Sequence, residues 1–384
     1  MSLERLVALL PEEIHQFLER CRVQRVRAYL VGGAVRDLLM GAEAIHDWDF
    51  ELHHESFDAG GWKRFLGVLR RHYSIDEEAH CVARIKHQEL NWQIAPARRE
   101  VYAHRESWGH GDFESVADPR LSFADASARR DFTVNAMGAL YQGGAWELVD
   151  PWGGKNDLAR RELVAVDAKH FVKDPVRLLR AYRFRLSLGL QFSASLEALL
   201  EEVNLEALGP YHLAQEAHKS RAPFSFWNQL QHHRGLEPRF SGGVLSGAQM
   251  DEDYRRYLPE VGSSNAILAA VVLAGEGWHT LLALASKGES EVTVWRQRRE
   301  ALQLLRPLSK DEVLALPSSD PAFVQLTRLV RTPLQWPRLS WAQELIRTQG
   351  PAWLLEVNWE ARFDLQDVPA AERAAMKVRR CLQS

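Results

Sequence analysis

Apolar residues at the start of the chain recur at helical spacing. Leu3, Leu6, Val7, Leu10, Ile14, Phe17 and Leu18 return every three or four positions, which predicts an amphipathic lead-in helix over Leu3–Arg22. Arg27-Ala-Tyr-Leu-Val31 is short, apolar and strand-forming, and predicts a buried strand. It ends on Gly32-Gly33 and passes into a helical run, Ala34–Met40, with Gly41 at a position suited to the left-handed residue that closes a helix. His46–Leu52 alternates and predicts a second strand; Cys81–Lys86, Leu90–Ile94 and Ala145–Val149 predict others. From Lys155 onward the period is helical almost throughout, with helices expected over Val176–Leu190, Leu196–Ala207, Ala266–Leu273, Val292–Leu305 and Pro321–Val330. The change of period predicts an α/β head, a small mixed sheet with helices, followed by an all-α neck, body and tail. The boundaries expected are an N-terminal helix in 1–25, the head in 26–154, a helical neck in 155–240 and a helical body and tail in 241–384. Breaks are expected at His110–Arg120, Phe240–Gly247 and Pro317–Pro321.

Composition adds limits rather than identity. The 384 residues are 46% hydrophobic and 26% charged, enough apolar material for packed cores and too much for disorder. Cys21, Cys81 and Cys381 are scattered, which excludes a disulfide scaffold or a cysteine zinc site and fits a reducing, cytoplasmic setting. No apolar stretch approaches the roughly 20 residues of a membrane span, so no membrane is expected as a partner. Met1–Arg22 carries charge throughout and does not read as a signal peptide. Lys and Arg number 48 against 51 Asp and Glu, a net charge of −3 that argues against broad nucleic-acid affinity. Locally the picture reverses: Arg161–Leu190 holds seven basic residues and three acidic ones, a net +4.

Four constellations carry candidate chemistry. In Leu30-Val-Gly-Gly-Ala-Val-Arg-Asp37 a strand gives way to a helix across two glycines. Gly32 and Gly33 would let backbone approach an anion closely, and Arg36 adds a donor fork suited to phosphate. The plainer reading is an ordinary strand–turn–helix. In Asp47-Trp48-Asp49 two carboxylates at strand spacing would project to one face, where they repel unless a hard cation such as Mg²⁺ lies between them. Alone this pair reads equally as a solvated strand edge; about ten residues after the glycine turn it becomes a metal-and-triphosphate arrangement. Arg129-Arg130-Asp131-Phe132-Thr133-Val134-Asn135 suits ribose and phosphate recognition, or else two surface arginines before a buried helix. In Asp174-Pro175-Val176-Arg177, with Arg180 and Arg183 continuing the three-residue spacing, Asp174 and Arg177 share a face near a helix start. They offer an acceptor and a fork of donors to a base edge, unless the helix is merely a solvated cationic stripe.

In this order the motifs resemble those of the class II nucleotidyltransferases, the CCA-adding enzymes of tRNA and the bacterial poly(A) polymerases. The resemblance covers Tyr29–Phe192 and includes Asp150-Pro-Trp-Gly-Gly154 with Asp157-Leu158. It implies a triphosphate held by Gly32, Gly33 and Arg36 and two Mg²⁺ ions on Asp47 and Asp49. Ribose and phosphate contacts fall to Arg130, Asp131 and Asn135. Asp174 and Arg177 become an amino-acid template for the base of CTP or ATP, with Arg180 and Arg183 near the nucleotide. The chemistry of that template is sound on its own terms. Arg donates to O2 and N3 of cytosine while Asp accepts from N4, and the N1 and N6 edge of adenine is served by a small adjustment. The implied activity is template-independent addition of CMP and AMP to RNA 3′ ends, with tRNA CCA addition or repair favoured. Partial CC- or A-addition, poly(A) synthesis and other tailing are the alternatives, and a catalytically silent RNA-binding relative is the alternative of another class. RNA contacts are expected in the C-terminal region, at Trp295-Arg-Gln-Arg-Arg299 through Arg296, Arg298 and Arg299, and at Lys377-Val-Arg379-Arg380. The chain departs from the family pattern at Lys173, where a Glu is usual. Gln93 stands on a strand where many members carry a carboxylate, and Ala126 where an acidic residue often precedes Arg-Arg-Asp.

Overall fold

The structure is a computed structural model. It describes residues 3, 5–77, 81–102, 113–206, 208–230, 233, 251–252, 254–256, 300–331, 343, 346–347, 350–359, 361 and 364–383. The chain divides into two compact units, one of Met1–Leu208 with His233–Gly235, the other of Gly209–His232 with Leu236–Ser384.

The lead-in segment is two helices rather than one: α1 (Arg5–Leu9) and α2 (Glu12–Val23). Pro11 lies between them in an extended conformation. A proline has no N–H to continue the first helix and biases the residue before it away from helical angles, which outweighs the unbroken apolar period. Next come β1 (Arg27–Val31), α3 (Gly33–Leu39), β2 (Asp49–His53), α4 (Ala59–Leu69), β3 (Ser74–Glu77), β4 (Ala83–His87) and β5 (Leu90–Pro96). The expected linker His110–Arg120 contains a strand. Residues β6 (Arg98–Tyr102) and β7 (Phe113–Ala117) pair as an antiparallel ribbon, and their polar alternation hid them. After α5 (Phe123–Ser127) and a short 3₁₀ turn over Thr133–Asn135 come β8 (Gly138–Gln142) and β9 (Ala145–Val149).

β1–β5, β8 and β9 form one sheet in the order β3-β4-β5-β2-β1-β8-β9. Every neighbouring pair is antiparallel except β2 with β5. Alternation along β2 sorts its chemistry. Phe50 and Leu52 are buried, and Phe50 packs with Phe17 of α2 at 5.4 Å between ring centroids. Trp92 of β5 joins the same layer against Phe17 and Tyr73. Asp49, Glu51 and His53 take the alternate positions and so share the opposite face.

The helical region of this unit begins with α6 (Gly154–Arg160). It continues through α7 (Ala168–Phe171), α8 (Val176–Leu188) and α9 (Ala194–Glu202). Between them the two-residue strands Glu162–Leu163 and Gln191–Phe192 pair in parallel, a small exception to the all-helical expectation. The second unit is helical among its described residues. It includes α10 (Pro210–Lys219), α11 (Pro223–Leu230), α12 (Lys310–Ala315), α13 (Pro321–Arg331) and α14 (Arg373–Gln383). Asp251 accepts from the backbone N–H groups of Phe224 and Ser225 at the start of α11. In α14, Arg379 donates to the Leu314 carbonyl of α12 and lies 4.4 Å from the Phe323 ring centroid of α13. The helix expected over Ala266–Leu273 lies outside the described residues, as does most of Val292–Leu305.

Candidate active site

The glycine turn is built as its sequence requires. Gly32 has φ +77°, a backbone state that side-chain-bearing residues rarely adopt, and α3 begins at the next residue. A Cβ at Gly32 would lie 3.8 Å from the Arg130 guanidinium, so the turn and Arg130 face each other. Arg36, on α3, is buried. It donates from Nη1 to Asn135 Oδ1 at 2.7 Å and from Nε to Asp37 at 2.8 Å. Asn135 Nδ2 donates to Asp131 Oδ1 at 3.1 Å, and Arg180 Nε of α8 donates to Asp131 Oδ2 at 2.5 Å. The Arg36–Asn135–Asp131–Arg180 chain therefore joins three of the four constellations. Burial alone would raise the Asp131 carboxyl, but Arg180 and the Asn135 amide hold it down at about 2. Three guanidinium carbons surround the buried Phe184 ring, those of Arg183 at 4.2 Å, Arg36 at 5.0 Å and Arg180 at 5.4 Å. The aromatic face tolerates this crowding of cations, which leaves a concentrated positive field beside the glycine turn.

β2 starts at Asp49, not at His46, so Asp47 and Trp48 precede the strand. Asp47 is exposed and Asp49 partly buried. Burial first, and then the neighbouring Asp47 charge, push the Asp49 carboxyl up, while Arg130 opposes them. Two close carboxylates with oxygen-only chemistry fit a hard cation that takes its remaining ligands from water and substrate phosphates. Among the described residues no group of three or more His, Cys, Asp and Glu side chains forms a closed metal cage. A cavity of about 270 Å³ opens beside the pair, lined by Asp47, Asp49, Arg84, Lys86, Asn91 and Gln93.

The sequence reading missed what lies behind Asp49. Glu51 is 1% exposed and accepts from Arg129 Nη2 at 3.0 Å; Arg130 Nη2 lies 3.5 Å away. His53, fully buried, places Nε2 3.1 Å from Glu51 and Nδ1 2.7 Å from the Leu121 carbonyl. The ring thus bridges Glu51 and the Leu121 carbonyl. Burial would raise the Glu51 carboxyl, yet His53, Arg130 and Arg129 bring it down to about 2. The network continues to Glu100, 3.8 Å from Arg129 and 3.6 Å from Arg177. Burial and the nearby Arg129 pull Arg98 down to about 10. The available signal was the polar face of β2 at Asp49, Glu51 and His53, set between buried Phe50 and Leu52.

Asp174 and Arg177 do meet, at 4.0 Å, and both are buried. Asp174 Oδ1 accepts from the Val176 N–H at the start of α8, and Arg177 Nη2 donates to the Arg129 carbonyl at 2.7 Å. The Asp174–Arg177 pair is thus tied to the Arg129–Arg130 segment. Asp150 explains the Asp-Pro-Trp-Gly-Gly motif: its two carboxylate oxygens accept from the N–H groups of Gly154 and Lys155. A Cβ at Gly154 would sit 2.2 Å from the Thr133 carbonyl oxygen, so glycine lets α6 press against the turn that carries Asn135. Asp157 pins the same turn by accepting from Thr133 Oγ1 at 2.6 Å. Arg296, Arg298 and Arg299 lie outside the described residues.

Comparison with known proteins bears out the resemblance read from the motifs. Residues 28–164 match the family described as the poly A polymerase head domain. An A-adding tRNA nucleotidyltransferase of Aquifex aeolicus (strain VF5) is 34% identical over 186 residues, 48% of this chain and 21% of that protein. A multifunctional CCA protein of Stenotrophomonas maltophilia (strain K279a) is 32% identical over 230 residues, 56% of this chain and 51% of that protein. A CC-adding tRNA nucleotidyltransferase of Synechocystis sp. (strain ATCC 27184 / PCC 6803 / Kazusa) is 30% identical over 201 residues, 52% of this chain and 41% of that protein. These matches span about a fifth to a half of the relatives' own length. The fold is similar to that of the Thermotoga maritima CCA-adding enzyme complexed with tRNA-CCA. The TM-score is 0.64 at 18% identity, over 100% of this chain and 93% of that one.

Proposed function

We propose that this chain, with a head of the poly A polymerase type, is a template-independent RNA nucleotidyltransferase acting on CTP and ATP at RNA 3′ ends. Completion or repair of tRNA CCA ends in the cytoplasm is the favoured role. The observation that carries the reading is the placement of Asp47 and Asp49 beside a glycine turn onto which Arg36 and Arg130 converge, with Arg180 and Arg183 adjoining. No helix among the described residues is long and apolar enough to cross a membrane.

In the reaction the RNA 3′-oxygen forms a bond to the α-phosphorus, the α–β bridging P–O bond breaks and pyrophosphate leaves; the hydroxyl proton passes to solvent. Asp47 and Asp49 would hold the two Mg²⁺ ions, which when bound supply Lewis-acid stabilisation of the attacking and leaving oxygens. Arg36, Arg130, Arg180 and Arg183 neutralise the triphosphate, and Gly32 and Gly33 let it approach the backbone. Asn135 and Asp131 keep two of those arginines aimed. Asp174 and Arg177 read the base, Arg177 exchanging the Arg129 carbonyl for the Watson–Crick edge. RNA contacts in the C-terminal half are assigned to Arg296, Arg298 and Arg299.

The test is incorporation of each labelled NTP separately, on tRNA lacking its 3′ end and on an unstructured oligonucleotide. CTP then ATP on tRNA alone is the expected outcome; ATP alone on either RNA would mean tailing. No incorporation on either would mean a silent RNA-binding relative, a reading that intact Asp47 and Asp49 disfavour. Asp49→Ala should abolish incorporation while the circular dichroism spectrum is unchanged, and incorporation at the wild-type rate would overturn the assignment. Neutralising Arg296, Arg298 and Arg299 should flatten the salt dependence of RNA binding.

A further inference from the structure

Asp49 stands at a junction in the sheet. β1, with the glycine turn at its end, flanks β2 on one side; β5 and then β4 flank it on the other. The registers set Asp49 opposite Gln93, Gln93 opposite Arg84 and Arg84 opposite Asp76. Asn91 lies opposite Lys86. Residues paired across strands share a face, as do residues two apart, so Arg84, Lys86, Asn91 and Gln93 all stand on the face that carries Asp49. They line the cavity that opens beside the carboxylate pair.

We propose that this cavity is the subsite for the 3′-terminal phosphodiesters of the RNA that accepts the nucleotide, with Arg84 and Lys86 as phosphate contacts and Asn91 as a polar contact. The proposal rests on the nucleotidyltransferase reading and deepens it. In-line displacement places the attacking oxygen opposite the leaving group. The arginines assigned to the triphosphate gather on the glycine-turn side of β2, so the acceptor strand arrives from the other side, and that is where the cavity lies. Strand spacing puts the Arg84 backbone about 10 Å from that of Asp49, close enough to serve the last nucleotides of an acceptor whose 3′-oxygen lies at the carboxylates. The chemistry also suits an anion. Arg84 and Lys86 bring two positive charges to a lining that also holds Asp47 and Asp49, whose charge the proposed Mg²⁺ ions would offset; Lys86 donates to Asp76 at 2.7 Å across a pair whose side chains are both more than half exposed. An exposed pair of that kind contributes little to stability, so a phosphate can displace it. Asn91 and Gln93 add neutral donors and acceptors that the sheet does not need on this face.

The experiment uses the full chain and a labelled tRNA transcript lacking its 3′ end, with binding read by fluorescence anisotropy in the absence of nucleotide. Arg84→Ala with Lys86→Ala should raise the Kd about tenfold. Loss of two phosphate contacts should also make the slope of log K against log salt shallower by about 1.4. In steady state the KM for RNA should rise while the KM for CTP and ATP stays at the wild-type value. The conservative double variant Arg84→Lys with Lys86→Arg should recover most of the binding, which a merely structural role would not require. An unchanged Kd and slope would overturn the proposal, as would a rise confined to the nucleotide KM, which would assign the cavity to the triphosphate. A wild-type chain that binds the transcript through Arg84 and Lys86 but incorporates nothing would sink the enzymatic reading and leave the RNA subsite standing. A wild-type chain that binds no transcript sinks the subsite.

Discussion

Glu51→Gln is the sharpest probe of the charge network behind Asp49. The substitution keeps the size of the side chain and removes its charge. Glu51 faces Arg129 at 3.0 Å and Arg130 at 3.5 Å, with the His53 ring at 3.1 Å. At an effective dielectric of about 20 each arginine contact is worth roughly 5 kcal/mol, and desolvation of the buried carboxylate opposes them. The net balance follows from its titration: a fall from the ordinary 4.5 to about 2 means that the site favours carboxylate over neutral acid by on the order of 3 kcal/mol. Glutamine can return part of that, because its amide can still hydrogen-bond the His53 ring. Glu51→Gln should therefore lose about 2–3 kcal/mol in urea unfolding followed by fluorescence and circular dichroism. Its acid limb should change as well. A carboxyl with a depressed folded pKa stabilises fully above pH 4.5 and loses that contribution as pH falls toward 2. The wild type should weaken across that window more steeply than Glu51→Gln. A variant within 0.5 kcal/mol of wild type, with the same acid limb, would refute the network as a source of stability.

The other predictions follow from the same contacts. Gly154→Ala forces a methyl onto the Thr133 carbonyl and should cost at least 2 kcal/mol, with a higher KM for CTP and ATP because the Asn135 turn shifts; melting and kinetics of the variant check both. Arg180→Ala leaves buried Asp131 without its strongest counter-charge, so the nucleotide KM should rise tenfold or more; stability should be lower at neutral pH and should fall less steeply than the wild type's between pH 4 and 2. Removal of Mg²⁺ by chelation should stop incorporation while the melting temperature moves by no more than a few degrees, and readdition should restore it.

The outline of the head was legible because its strands and turns obey simple rules. β1 is a short apolar run, Gly32-Gly33 breaks it, and β9 appears at its expected bounds. What escaped did so for physical reasons. β6 and β7 carry polar residues on both faces, so their alternation is weak in single-sequence terms. Pro11 divides a helix whose apolar spacing continues unbroken across it. Glu51 and His53 were visible as polar positions in a buried strand, but their roles depend on Arg129 and Leu121, about 70 to 80 residues away, and no local pattern foretells such a meeting. The candidate site was legible as residue types and order. Its wiring was not: Arg177 turned to the Arg129 carbonyl, Asp174 engaged at a helix start, and the arginine crowd around Phe184 are properties of the folded chain.

The Arg36–Asn135–Asp131–Arg180 chain has a consequence for how this protein can be cut and recombined. Asp131 takes its counter-charge from Arg180, and the Thr133 N–H donates to the carbonyl of Val164. A fragment ending at residue 154 would keep Asp47, Asp49 and the glycine turn, yet strand a buried carboxylate and an unpaired backbone donor beside them. Most of the first compact unit is complete by Leu208, but His233–Gly235 return to it and His233 bonds the Tyr182 hydroxyl, so a seam for exchanging C-terminal regions has to keep these residues with the head. Chimeras that keep Val164, Arg180 and His233 with the sheet should retain the Arg36–Asn135–Asp131–Arg180 chain, and those joined at the end of the sheet should not.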